Sequence, residues 1–133
     1  MSSPLRRRVV EAPPRRERAE LHKIRVIFEP DPEPDTSYLE QDEFEERLAG
    51  YKSGEFNLLG CRAEAEVVLA PETTVQVLRS GGLYGIESDS EQDELDEIVH
   101  REWSRLRDVL KTVGVPTAQL PQQIDRAWVE WRM

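Results

Sequence analysis

Within DELDEIVHREWSRLRDVLKTVG, Leu95, Ile98, Val99, Trp103, Leu106, Val109 and Leu110 recur at steps of three and four. That spacing predicts an amphipathic helix from about residue 90 to 112, stopped by Gly114 and Pro116. A helix with a long apolar stripe needs an apolar surface to cover. RAEAEVVLA supplies one by alternation, with Ala63, Ala65, Val67 and Leu69 on one face and Arg62, Glu64, Glu66 and Val68 on the other. The turn APET and the run TTVQVLRSGGLYGIES predict a returning antiparallel strand, with Gly81 and Gly82 permitting a bulge or bend. LHKIRVIFE adds a strand at 21–29, its Ile24, Val26 and Phe28 on one face. The expected fold is α+β: a small antiparallel sheet of about three strands with helices packed mainly on one face.

Between the first strand and the hairpin, EPDPEPD places three prolines at alternate positions, which neither a ladder nor a helix accommodates. Residues 37–50 then predict a short acidic helix with Tyr38, Leu39, Phe44 and Leu48 inward and Gly50 as terminator. Ser88 with Glu91, and Ser90 with Asp93, fit capping boxes for the long helix. At the C-terminus Leu120, Ile124, Trp128 and Trp131 predict another short helix. No apolar run reaches the roughly 18 residues of a membrane span, and the N-terminus lacks a secretory signal, so a cytoplasmic location is expected.

Charge is segregated along the 133 residues. Residues 1–20 hold Arg6, Arg7, Arg8, Arg15, Arg16 and Arg18 against three glutamates, and read as a basic flexible arm. The remaining 21–133, read as one domain, carry 12 basic and 24 acidic side chains. Such a body repels phosphate and attracts basic surfaces, so nucleic acid is expected at most on the arm.

Catalytic and cofactor patterns are sparse. Glu87 and Asp89, two residues apart at a strand end, could direct two carboxylates to one divalent ion and support a small metal-dependent hydrolase. A second candidate pairs the lone Cys61 with His100, and neither pattern has the further groups that such chemistry requires. SGGLYG lacks the rest of a phosphate-binding motif, and the acids that follow it repel phosphate. Asp31, Glu33 and Asp35 lack the central glycine and terminal glutamate of a calcium loop. No cofactor is expected, and a metal site is not assigned.

The reading that fits shape and charge is an acidic protein-interaction module acting without turnover. Its contact residues are Glu33, Asp35, Asp42, Glu43, Glu46, Glu87, Asp89, Asp93 and Glu94, with Tyr84, Trp128 and Trp131 as aromatic anchors. The C-terminal helix offers a homodimer contact. EPDPEPDTSYLE, GCRAEAEV and LRSGGLYGIESDSEQDELDEIVHREWSRL give residues 24–113 a resemblance to a group of small acidic, functionally uncharacterised proteins of actinobacterial phages and mobile elements. That resemblance assigns no residue a role. It implies a host-interaction protein, such as an inhibitor of a nucleic-acid-handling enzyme of the anti-CRISPR or antirestriction type.

Overall fold

Strand alternation around residue 60 organises everything else. The computed structural model describes residues 19–69 and 74–133, so the six arm arginines Arg6 to Arg18 lie outside the described residues. Along the chain come β1 (Glu20–Pro30), two 3-10 turns (Ser37–Glu40 and Asp42–Phe44), α1 (Glu45–Ser53), β2 (Leu58–Leu69), β3 (Thr74–Arg79) and β4 (Leu83–Glu87). They are followed by α2 (Gln92–Thr112), 3-10 turns at Thr117–Gln119 and Arg126–Trp128, and β5 (Val129–Trp131).

β1 and β2 form the antiparallel centre, from Glu20 opposite Val68 to Pro30 opposite Leu59. β3 pairs with the Glu64–Leu69 half of β2, and β4 with its Leu58–Cys61 half. These are two halves of one return strand, broken at Ser80 to Gly82. Glu102, fully buried on α2, holds the break. Its Oε1 accepts the Ser80 hydroxyl at 2.8 Å and the Gly82 amide at 3.0 Å, while Ser80 Oγ accepts the Ala63 amide at 2.9 Å. Gly82 has φ +85°, a conformation that favours glycine.

The sheet is therefore larger than three strands, and it is mixed. Five strands are described, in the order β3-β2-β1-β5 with β4 also on β2, and β5 runs parallel to β1 from Val26 opposite Val129 to Phe28 opposite Trp131. The expected C-terminal helix is replaced by this strand. Pro116 and Pro121 interrupt the helical spacing, Asp125 caps a single turn by accepting the Ala127 amide, and the free edge of β1 offers backbone partners to Val129–Trp131.

The core lies between α2 and one sheet face: Leu95, Val99, Trp103, Leu106 and Leu110 against Val26, Phe28, Leu59, Cys61, Ala63, Ala65 and Val67. Each large side chain so buried contributes ~1.5–3 kcal/mol. Val109, expected in this stripe, stays 38% exposed. A second cluster of Leu39, Phe56 and Leu58, joined by Tyr38, Phe44, Leu48 and Tyr51, packs on the opposite face at the start of β2. This smaller cluster covers part of the second face at that end, while α2 covers the main face. The predicted 37–50 helix breaks into two 3-10 turns and α1, and α1 ends at Gly54 with φ +83° rather than at Gly50, which is buried. Neither predicted capping box forms: Ser88 Oγ accepts the Asn57 amide, extending the β2–β4 pairing, and the Ser90 hydroxyl bonds the Glu87 carbonyl. No described helix is long and apolar enough to cross a membrane.

Candidate interaction surface

Every connection at one end of the sheet is acidic. Residues 31–57, which join β1 to β2, contain nine acids and two bases, and residues 83–97, from β4 into α2, contain seven acids and no lysine or arginine. Arg47 of α1 joins the two stretches. Its guanidinium makes paired bonds to Asp89 at 2.8 and 2.9 Å, reaches Glu87 at 3.1 Å, and lies 3.8 Å from the centre of the Phe56 ring. Tyr38 donates to the other Glu87 oxygen at 2.8 Å. The hydrogen bonds from Arg47 hold the Asp89 carboxyl below its ordinary range, and Asp89 in turn raises Arg47. Burial, and then the bond to Glu87, push the Tyr38 hydroxyl up to about 12.

This clamp gives Glu87 and Asp89 a structural role. The carboxylates converge on a cation already present in the chain, and no group of three or more His, Cys, Asp or Glu among the described residues is placed to hold a metal. Cys61 and His100 do not form a reactive pair. Cys61 is buried in the core, where burial, followed by the charge of Glu102, pushes its thiol up to about 12, and His100 is exposed on α2.

The predicted contact residues fall into two groups. Glu33 and Asp35 are exposed on the proline-rich connector, where the Ser37 hydroxyl and amide bond Asp35 and lower its pKa. Asp42, Glu43 and Glu46 are exposed on the second 3-10 turn and α1, and Asp93 and Glu94 on the first turn of α2. Together with Glu40, Glu45 and Glu91, the five acids of this turn, α1 and α2 make no ion pair among the described residues. Tyr84 lies on β4, 49% exposed, with one side of its ring close against Gly60. A Cβ at that glycine would stand 2.5 Å from the ring. An open cleft of about 350 Å³ separates Tyr84 from Tyr38 and Glu87.

The tryptophans divide. Trp131 stacks on Phe28 with centroids 4.3 Å apart and lines a cleft with Gln92 and Asp96 at the start of α2, next to the acidic end. Trp128 faces a different cleft of about 570 Å³, formed with Leu21, Ile24 and Leu120 towards the beginning of β1. Arg47 and Tyr38, which organise the surface, were missed from sequence. The signal present was a single arginine inside EFEERL, in a segment otherwise acidic.

Along the middle of the open sheet face the charges are matched. On the open face of the sheet, Glu64 is 3% exposed and meets Arg25, Arg62 and Arg79 at 3.0, 2.8 and 2.9 Å. Arg62 also pairs with Glu29, and Arg25 with Glu66. Burial alone would raise the Glu64 pKa, but the three arginines outweigh it and bring it down to about 2. No protein-family model matches the chain, and neither do any curated protein or solved structure.

Proposed function

We propose that this protein is a non-catalytic interaction module that grips a basic protein surface with its acidic end. The observation that carries the reading is the meeting of two acidic segments, 31–57 and 83–97, around one arginine, while Arg25, Arg62 and Arg79 of the sheet are occupied by Glu29, Glu64 and Glu66. Uncompensated surface charge speeds encounter and selects the sign of the partner, and exposed Tyr84 and Trp131 add apolar anchors beside it. Proteins that hold nucleic acid present basic grooves. Together with the resemblance to phage and mobile-element proteins, this makes the reading specific: an inhibitor of a host nucleic-acid-handling protein, of the anti-CRISPR or antirestriction type, that blocks the groove by occupying it.

Affinity capture from host lysate, at low and at moderate salt, tests this with the full chain and a chain lacking residues 1–20. The expected result is one basic nucleic-acid-handling protein retained by both and released progressively as salt screens the contact. Retention that requires the arm and follows nucleic acid would instead support an arm-led nucleic-acid binder. Divalent-ion-dependent turnover lost in Glu87→Ala/Asp89→Ala would replace the proposal with hydrolysis.

A further inference from the structure

β3 is the outer strand of the sheet, and it carries few of the devices that usually keep such edges apart. Thr74–Arg79 contains no proline, glycine or acid, and its one charge, Arg79, is drawn onto Glu64 at 2.9 Å. Val75 and Val77 are 53% and 41% exposed on the open face. The other edges differ: β5 has three residues, and β4 is bent by Gly85 with φ +75°.

The backbone of β3 is also self-complementary. The Ser80 amide bonds the Ala63 carbonyl, so by strand alternation Thr74, Gln76 and Leu78 turn their backbone groups towards β2. Val75 and Val77 turn theirs outward. We propose that a second copy of this chain pairs antiparallel along β3, with the two-fold axis through Gln76. In that register Val75 of one copy and Val77 of the other exchange both backbone bonds, the two-fold repeats the exchange, and Gln76 meets its twin at the closer, non-hydrogen-bonded position. The four valines then form β-branched cross-strand pairs on one face, a favourable combination.

Charge favours a second copy over a different partner. Residues 67–86 hold only Glu72 and Arg79 as charged side chains, in a chain whose net charge is -9. Copies that repel each other elsewhere can approach here. β3 occupies the half of β2 farther from the acidic connections, and antiparallel pairing points the two acidic ends in opposite directions. This keeps like charge apart and leaves both acidic ends open.

Sedimentation of the full chain over a range of concentrations, with cysteine trapping, tests the register. Gln76→Cys puts two thiols across the axis at a Cα separation of about 4.5 Å, within disulfide reach, whereas Thr74→Cys puts them about 13 Å apart. Cys61 is buried and does not compete. The expected results are an apparent mass that doubles with concentration, a disulfide dimer from Gln76→Cys under mild oxidation, and little from Thr74→Cys. Val75→Lys/Val77→Lys changes only exposed side chains, and should stay monomeric with an unchanged circular dichroism spectrum. A constant single-chain mass, equal cross-linking by both cysteine variants, or a doubling that survives the two lysines would each overturn the pairing.

Discussion

The open face of the sheet and the acidic end treat carboxylates in opposite ways. Around Glu64, three arginines surround one buried glutamate; around Arg47, two carboxylates share one arginine and a row of exposed acids shares nothing. Charge is structural where water is excluded. Glu64 is nearly out of water, and a buried carboxylate persists only when paired and hydrogen-bonded. The acids of α1 and of the α2 start are solvated, so the fold tolerates them without requiring them.

That contrast can be broken first at Glu64. Glu64→Ala removes the carboxylate that Arg25, Arg62 and Arg79 share, leaving Arg25 with Glu66 and Arg62 with Glu29, and should lower stability by ~2–3 kcal/mol in urea denaturation. The pH dependence has a definite sign. A folded pKa of about 2 lies below the ordinary glutamate value of 4.5, so the contribution of Glu64 is fully present above pH 4.5 and is lost as pH falls towards 2. Glu64→Gln should flatten the acid limb of the stability profile in that window. An unchanged limb would mean the three arginines do not hold this group.

Glu102 is also buried, but among the described residues it meets one arginine, Arg105 at 3.2 Å, and otherwise bonds Ser80 and Gly82. Glu102→Ala orphans the Ser80 hydroxyl and the Gly82 amide, at a cost of ~1–3 kcal/mol. Amide exchange at Gly82 should accelerate with it, and a slow Gly82 amide in the variant would show that the strand break holds without the helix. Arg47→Ala comes next. Its side chain is 39% exposed, so the loss of stability should be small, while capture of a basic partner should strengthen as the end becomes more negative.

Much of this layout was legible in the residues. The stripe from Leu95 to Leu110 and the alternation from Ala63 to Val67 determine a helix on a sheet, because both periods are local and repeated. β5 was not legible, since its three residues are strand only because β1 has a free edge there; the helical spacing of Leu120, Ile124, Trp128 and Trp131 pointed the other way. The capping serines misled for a related reason: Ser88 accepts the amide of Asn57, just ahead of β2 and 31 residues away, and Ser90 bonds the last carbonyl of β4. Glu102 was visible in principle, as a carboxylate between Val99 and Leu106 on the buried stripe, where an acid requires partners. At the acidic end the composition was plain from sequence, but the junction through Arg47 depends on a contact 42 residues apart.

The smallest stability effect and the largest binding effect should coincide in Glu43→Lys/Glu46→Lys/Asp93→Lys/Glu94→Lys. These four side chains are exposed and make no ion pair among the described residues, and Glu46, Asp93 and Glu94 stand in first helix turns, so each substitution should lower stability by no more than about 1 kcal/mol. Quantitative capture of the basic partner by this variant and by the native chain, with folding checked by urea denaturation, is the most direct test. Retention lowered by about tenfold or more in a variant that unfolds like the native chain is the predicted result. Equal retention by the two would contradict the assignment of the acidic end as the surface that binds.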